Sequence, residues 1–383
     1  MRIPLHALRS AILIVSCLAA TRAADIDDIN AALDRLAAVR SDGTGNAEAA
    51  AAWRVVSRIP PARLADVLRA MDRTAGPLGR NWLRAAFETA VDRTLDAGKT
   101  IPAAPIEAFL WERQHAPQAR ELAYALLVRL DPRAARKLLP RLLDDPSVEL
   151  RRRAVAVVID RAERLLEAND RAAAVKALQR ALLAARDKDQ VQRIARQLRK
   201  LGRDVDLPRH FGFLTHWRLI GPFDNSARAG YATRFPPEKE LDAEGVYDGK
   251  EGRKVRWIEY TTTDDFGMVD LNKPLGKKKE VVGYAWTTFH ADRPRRVELR
   301  LGCKNAWKLW LNGKLVFARD EYHRGMKMDQ YRFPVELKAG PNEILVKVCQ
   351  NEQVEPWTVE WQFQLRVCDA TGTAILPAGD SAR

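Results

Sequence analysis

Cysteine and histidine are both scarce: 383 residues carry four cysteines and six histidines. Four cysteines are too few for a disulfide-dense scaffold, and no Cys/His cluster has zinc-finger spacing. After the first two dozen residues no segment is apolar enough for a membrane helix, which needs about twenty such residues. HExxH, GxSxG, a GxGxxG nucleotide loop and a P-loop are all missing. The adjacent carboxylates Asp264 and Asp265 are a poor acid/base couple, because neighbours on an extended strand point to opposite faces. With no catalytic signature, the chain reads as a non-enzyme. Charge is plentiful: 64 Lys+Arg stand against 50 Asp+Glu, a net +14, with 46% hydrophobic residues. Those proportions describe a folded globular protein and argue against disorder.

The first residues read as an export signal. Arg2 and Arg9 give a basic start, Ala11 to Ala20 an apolar core, and Thr21-Arg22-Ala23 the small residues of a cleavage site. A signal peptide over 1–23 is expected, with the protein periplasmic or extracellular. Ile14-Val15-Ser16-Cys17 has lipobox character, so a lipid anchor at Cys17 is the minor alternative. Cys303, Cys349 and Cys368 would then remain, an odd number in an oxidising compartment. Strand parity turns Cys303 inward, as a buried unpaired thiol, and gives Cys349 and Cys368 the parity of polar residues.

Two sequence patterns divide the rest of the chain. From Asp25 to about Asp204 it is rich in Ala, Leu and Arg and helical in period. Ala116-Pro117, Asp131-Pro132 and Asp145-Pro146 each mark a helix start, since Asp can cap free N–H groups and proline at the first position forfeits no bond. Leu150, Ala154, Val157, Val158 and Leu165 form an apolar stripe on one such helix. Gly202 ends the last. Beyond Asp204 the period is two. Trp357, Val359, Trp361, Phe363, Leu365 and Val367 alternate with polar residues, as do Val297, Leu299 and Leu301. Asn312-Gly313 between Trp307–Leu311 and Lys314–Arg319 signals a hairpin with a type I′ turn.

The helical segment around 105–201, with matching stretches at 123–130 and 154–161, resembles HEAT repeats. Trp310-Leu311-Asn312-Gly313-Lys314, followed by Leu337-Lys338-Ala339-Gly340-Pro341-Asn342, resembles the core of galactose-binding-like jelly rolls, including the sugar-binding domain of family 2 glycosidases. The expected fold is therefore multidomain α + β: a HEAT-like α-solenoid over 24–204, an antiparallel β-sandwich (jelly roll) over 205–372, and a flexible tail over 373–383.

Seven of the ten tryptophans lie in the β half, and parity buries Trp307, Trp357 and Trp361. Trp310 has the opposite parity and is the expected platform for a sugar ring. Asn305 and the loop residues Asp320, Tyr322, His323 and Arg324 supply polar partners, since loops at a sandwich end are common ligand sites. Arg151, Arg152, Arg193, Arg196, Arg199 and Lys200 suggest basic faces for an anionic envelope polymer, a protein partner being the other occupant. Export argues against nucleic acid. No cofactor is expected; Asp224-Asn225 reads as a turn in preference to a calcium ligand pair. The expected function is an exported, non-catalytic binding protein whose sandwich contacts a carbohydrate. The alternatives are a structural scaffold of the cell envelope and an accessory module of a hydrolase.

Overall fold

The structure, a computed structural model, describes residues 27–379. The expected signal peptide, Cys17 and the last four residues of the tail lie outside them. The chain divides into two compact units, the second beginning at Val191. Helices come first and antiparallel sheets after, the two-part α plus β architecture implied by the change of period. No helix among the described residues is long and apolar enough to cross a membrane.

In the first unit, α1 (27–37), α2 (Asn46–Val56), α3 (Leu64–Ala70), α4 (Pro77–Asp96), α5 (Ala103–Trp111), α6 (Pro117–Leu130), α7 (Ala134–Leu138), α8 (Val148–Glu167) and α9 (Arg171–Ala184) follow with short connections. Proline occupies the first position of α4 and of α6, where its missing N–H has no helical partner to lose. Leu36, Leu68, Leu83, Phe109 and Leu150 are completely buried in one aliphatic core.

The start of α8 differs from expectation. Ser147 caps it, its Oγ accepting from the Leu150 N–H at 3.4 Å. Asp145 is engaged elsewhere: its two oxygens accept from Nη1 and Nη2 of Arg120 at 2.6 and 2.7 Å. The Arg120 Nε donates to the Leu110 carbonyl at 2.9 Å. With side chains 1% and 3% exposed, this bidentate pair ties the entry of α8 to α5 and α6. The buried face of α8 is also rotated. It carries Leu150, Arg151, Ala154, Val155, Ile159 and Ala162, and leaves Val157 exposed. Aliphatic residues sit on both sides of this helix, so period alone does not choose the side.

α10 (Lys188–Lys200) has its first three residues in the first unit and the rest in the second, where it buries Val191, Ile194, Ala195 and Leu198, an i, i+3, i+4, i+7 stripe. Gly202 follows with φ 72°, the left-handed turn that closes a helix. After α11 (Leu207–Phe211) come β1 (His216–Asp224), β2 (Val246–Asp248), β3 (Lys254–Arg256), β4 (Ile258–Thr261), β5 (Val269–Asp270) and α12 (Asn272–Leu275). Then come β6 (Val281–Ala291), β7 (Arg295–Cys303), β8 (Ala306–Leu311), β9 (Lys314–Arg319), β10 (Tyr331–Leu337), β11 (Gly340–Gln350) and β12 (Gln362–Cys368). A six-stranded sheet has the order β4-β1-β6-β11-β8-β9, and a four-stranded one β10-β7-β12-β5. Every pairing in them is antiparallel. Trp217, Trp307, Val346, Leu299, Trp361 and Phe363 fill the core that the two sheets share.

The hairpin is as expected. Asn312 and Gly313 take φ 51° and 75°, the positive pair of a type I′ turn. The Asn312 Nδ2 donates to Asn342 Oδ1 at 3.0 Å, while its Oδ1 accepts from the Glu343 N–H at 2.9 Å. Asn342 is completely buried and also bonds both backbone groups of Lys338. The Asn-Gly and Gly-Pro-Asn motifs therefore staple the hairpin to the β10–β11 turn.

Both sheets are covered on their outer faces, which strict alternation does not foresee. Over the six-stranded sheet, Ile220, Phe223, Val282, Tyr284, Leu345 and Cys349 form a second apolar layer under Tyr231, Phe235, Leu241 and Tyr247. Lys347 is sealed within it. Its Nζ donates to the carbonyls of Tyr231 and Thr233 and to Glu238 Oε1, at 3.1, 2.8 and 2.8 Å. Burial lowers its pKa, with the Glu238 hydrogen bond opposing. Over the four-stranded sheet, the side chains of Arg300 and Arg366 are only 4% and 2% exposed and converge on Asp329. Cys349 and Cys368 are thus buried despite their parity, and so is Cys303; all three are free thiols. Burial pushes Cys303 and Cys349 up to about 12 and Cys368 up to about 11.

The expected strand from Trp357 begins only at Gln362. Pro356 opens a 3-10 turn over Pro356–Thr358, and Trp357 lies in it, 57% exposed, with Val359 also exposed. A proline has no N–H to give a central ladder, and its presence is the sign in the sequence that the alternation stops short.

Candidate ligand site on the loops of the β unit

Three connections come together, each positioned by a strand end: 225–231 after β1, 320–325 after β9 and 351–358 after β11. The first is anchored by Asn225. Its Nδ2 donates to the Gln350 carbonyl at 2.9 Å and to the Tyr322 hydroxyl at 3.1 Å. Asp224 accepts from the Ser226 N–H and hydroxyl, at 3.3 and 2.7 Å, and takes Lys250 at 3.1 Å. This is the turn expected at Asp224-Asn225. No group of three His, Cys, Asp or Glu residues among the described residues is placed to hold a metal ion.

Ala227 and Arg228 follow with φ 52° and 62°. Left-handed backbone at two successive non-glycine residues is strained, and its surroundings hold it there. It presents Arg228 over the Tyr322 ring, 5.3 Å from the centroid, with Nε 3.2 Å from Glu352 Oε2. That hydrogen bond holds the Glu352 carboxyl below its ordinary value. Burial raises the Tyr322 hydroxyl well above its own, so it stays protonated.

His323 also has positive φ, 57°. Its Nε2 lies 2.8 Å from Oδ1 of the completely buried Asn351, whose Nδ2 donates to Gln353. Burial lowers the His323 pKa, and the charges of Lys279, Lys304 and Arg228 lower it further against the Asn351 hydrogen bond. The ring is therefore neutral at pH 7. It meets Trp357 edge-on, with centroids 5.4 Å apart and planes at 89°.

Trp357 is the exposed member of this group, and its backbone is fixed. The Thr358 hydroxyl donates to the carbonyls of Gln353 and Glu355, both at 2.8 Å. The Thr358 carbonyl accepts from Lys279 Nζ and from Gln350 Nε2, each at 2.9 Å. Lys304 Nζ donates to the Trp357 carbonyl at 3.2 Å and pairs with Glu360. Lys279 is a brace for this turn. An indole held out by a rigid turn, flanked by an imidazole, a guanidinium and carboxylates, can stack on a flat apolar surface and bond hydroxyls at its rim.

Of the residues anticipated from sequence, Asp320, Tyr322, His323 and Arg324 lie on this loop cluster. Arg324 is paired with Glu321 at 2.8 Å. Asn305 is a correction: it is buried, donating to Gln350 Oε1 and the Glu360 carbonyl and accepting from the Gln362 N–H. No ligand reaches it. Trp310 is half-buried on β8 and packs against the second apolar layer, because that layer covers the face its parity selects.

The basic faces need correction too. Arg151 is buried in α8. Arg152 is bidentate to Asp189 at 2.8 and 2.6 Å and close to Asp187. Arg199 is bidentate to Asp265 at 2.7 and 2.8 Å. Arg193, Arg196 and Lys200 are on α10, and all three are exposed. Sequence reasoning missed Arg228, Asn351 and Glu352, which carry no motif and reach the site only through the fold.

No family model matches the chain, and no curated protein matches it in sequence. Among solved structures, part of the chain is similar to a β-glucosidase from Kluyveromyces marxianus in complex with glucose, at 15% identity and TM-score 0.24 over 40% of this chain and 16% of that one. A β-glucuronidase from an uncultured Clostridium sp. matches at 10% identity and TM-score 0.26, over 41% of this chain and 29% of that one. A GH31 α-xylosidase from Xanthomonas citri matches at 13% identity and TM-score 0.18, over 30% and 15%. The chain spans less than a third of the length of each. Likeness of this degree carries nothing about activity or ligand.

Proposed function

We propose that the β unit is a carbohydrate-binding module, galactose-binding-like in type, of an exported protein without catalytic activity. The observation that carries this reading is Trp357: a large indole 57% exposed on a turn whose backbone is fixed by Thr358, Lys279 and Lys304. An exposed tryptophan on a mobile loop would lose side-chain and backbone freedom on binding, whereas this one is already ordered. The apolar face of a pyranose would lie on the indole. Arg228, Glu352 and Asp320 would take hydroxyls at its rim. The helical unit, HEAT-like in its short-connected helices, would dock a protein partner, and the exposed cations of α10 would suit an anionic envelope polymer.

The test is titration of the full chain with neutral, uronic and sulfated polysaccharides at low and high salt, followed by tryptophan fluorescence. Saturable, salt-resistant binding that Trp357→Ala abolishes, with circular dichroism unchanged, is the expected result. Binding that persists in Trp357→Ala would move the site elsewhere. No binding to any sugar would leave the sandwich a scaffold.

A further inference from the structure

A second cleft lies wholly within the helical unit and shares no residue with the loop cluster of the β unit. It has a volume of about 210 Å³ and lies among α4, α6 and α8. Arg80 and Arg84 enter it from α4, one turn apart on the same face. Arg153 enters from α8, and Asn81, Gln118 and Glu121 complete the polar lining.

The partners of the three guanidinium groups are unequal. Arg84 pairs with Glu88 on its own helix at 2.9 Å, with both side chains about half exposed. Arg153 stands 4.0 Å from Glu121. Arg80 has no ion pair among the described residues, and its Nε is sealed from solvent with no hydrogen-bond partner. A buried N–H without an acceptor is a standing cost that the fold normally removes. Glu121, the carboxylate in the lining, does not supply that acceptor. Burial and then Glu149 push its pKa up, against Arg153 and Arg84.

We propose that this cleft binds a small oxyanion, with Arg80 as its anchor and Arg84 and Arg153 as the flanking cations. Guanidinium groups present paired donors that match the oxygens of carboxylate, sulfate and phosphate. The volume is below the 300 Å³ or so typical of drug-sized ligand pockets, and it suits one anionic group on a small molecule. The site is independent of the sugar-binding reading of the β unit, since no residue is shared.

The experiment is isothermal titration of the full chain with sodium phosphate, sodium sulfate and sodium glucuronate, against sodium chloride at matched ionic strength. At least one oxyanion gives saturable heat and chloride gives none. Arg80→Met weakens that binding at least about tenfold, or about 1.4 kcal/mol, while Lys137→Gln, outside the cleft, leaves it unchanged. Phosphate or sulfate binding without glucuronate assigns a tetrahedral anion; glucuronate binding alone assigns a sugar acid. Should Arg80→Met misfold, the double variant Arg84→Gln/Arg153→Gln, altering exposed side chains, must show the loss. Absence of saturable heat from all three anions, or full affinity in a folded Arg80→Met, overturns the proposal.

Discussion

Replacing Asp329 with asparagine tests whether the buried guanidinium pair of the β unit is held by that one carboxylate. Arg366 reaches it through Nε and Nη2, both at 2.6 Å, and Arg300 through Nη1 at 2.8 Å. Breaking a buried ion pair by removing one partner costs about 3–5 kcal/mol. The lower figure applies here, because other acceptors survive the change. Arg366 keeps the carbonyls of Phe211 and Gly372, and Arg300 keeps Glu298 and the carbonyls of Asp369 and Ala370. For a unit of about 190 residues, about 3 kcal/mol lowers Tm by roughly 6–12 °C. Scanning calorimetry on the full chain would read this, with Asp292→Asn, at an exposed site, as the control.

The same carboxylate fixes a pH dependence. Burial opposes ionisation of Asp329, but hydrogen bonding and charge from Arg366 and then Arg300 outweigh it, leaving the pKa below the ordinary 3.8. A depressed folded-state pKa contributes stability above the unfolded value, and that contribution disappears as pH falls through the folded one. The Tm difference between wild type and Asp329→Asn should therefore be constant from pH 7 to about 5 and shrink below the ordinary carboxylate value. A shift under about 2 °C at pH 7, or a difference that grows on acidification, would refute the argument.

In the helical unit, Asp145→Asn removes the charge facing Arg120, whose side chain is 1% exposed. Urea unfolding should show a loss of about 3–5 kcal/mol, and a loss below about 1 kcal/mol would mean that the Leu110 carbonyl alone suffices. Thr358→Val keeps the volume of the side chain and deletes the hydroxyl, which shares its one proton between the Gln353 and Glu355 carbonyls and accepts from Lys279 Nζ to fix the Trp357 turn. Stability should fall by about 1 kcal/mol per lost bond or less, and sugar affinity should drop severalfold with the indole still present. Unchanged affinity would show that the turn needs no such brace.

Local chemistry is legible in the sequence where one or two residues determine a backbone state. Asn312-Gly313, Gly202 and Ala116-Pro117 each require a particular φ or tolerate a missing N–H, and each stands where expected. Alternation is legible at Val297, Leu299 and Leu301, whose burial needs only the facing sheet. It fails where a third layer intervenes. Cys349, Lys347 and Trp310 look solvent-facing by parity, yet the connection carrying Tyr231, Phe235 and Tyr247 covers that face. Arg300 and Arg366 look wet as well, until a loop 29 residues from one and 37 from the other brings Asp329 over them. Period two says which residues share a face, not what lies above it. Extending the alternation back from Gln362 into the turn at Pro356–Thr358 turns Trp357 inward and leaves Trp310 as the platform, which is why the exposed indole is invisible to parity.

The three thiols make the β unit report on its own integrity. Cys303 sits on β7, Cys349 on β11 and Cys368 on β12, so both sheets carry a probe. Each is buried with its pKa raised, and the thiolate is the form that reacts. An alkylating reagent at neutral pH thus has no nucleophile to meet until a strand departs. Labelling rates then measure opening, one sheet at a time, as amide exchange does for backbone. Arrest of alkylation at Cys349 by a bound sugar, with Cys368 unaffected, would trace stabilisation to the sheet whose β11 leads into the Trp357 turn, without any engineered reporter.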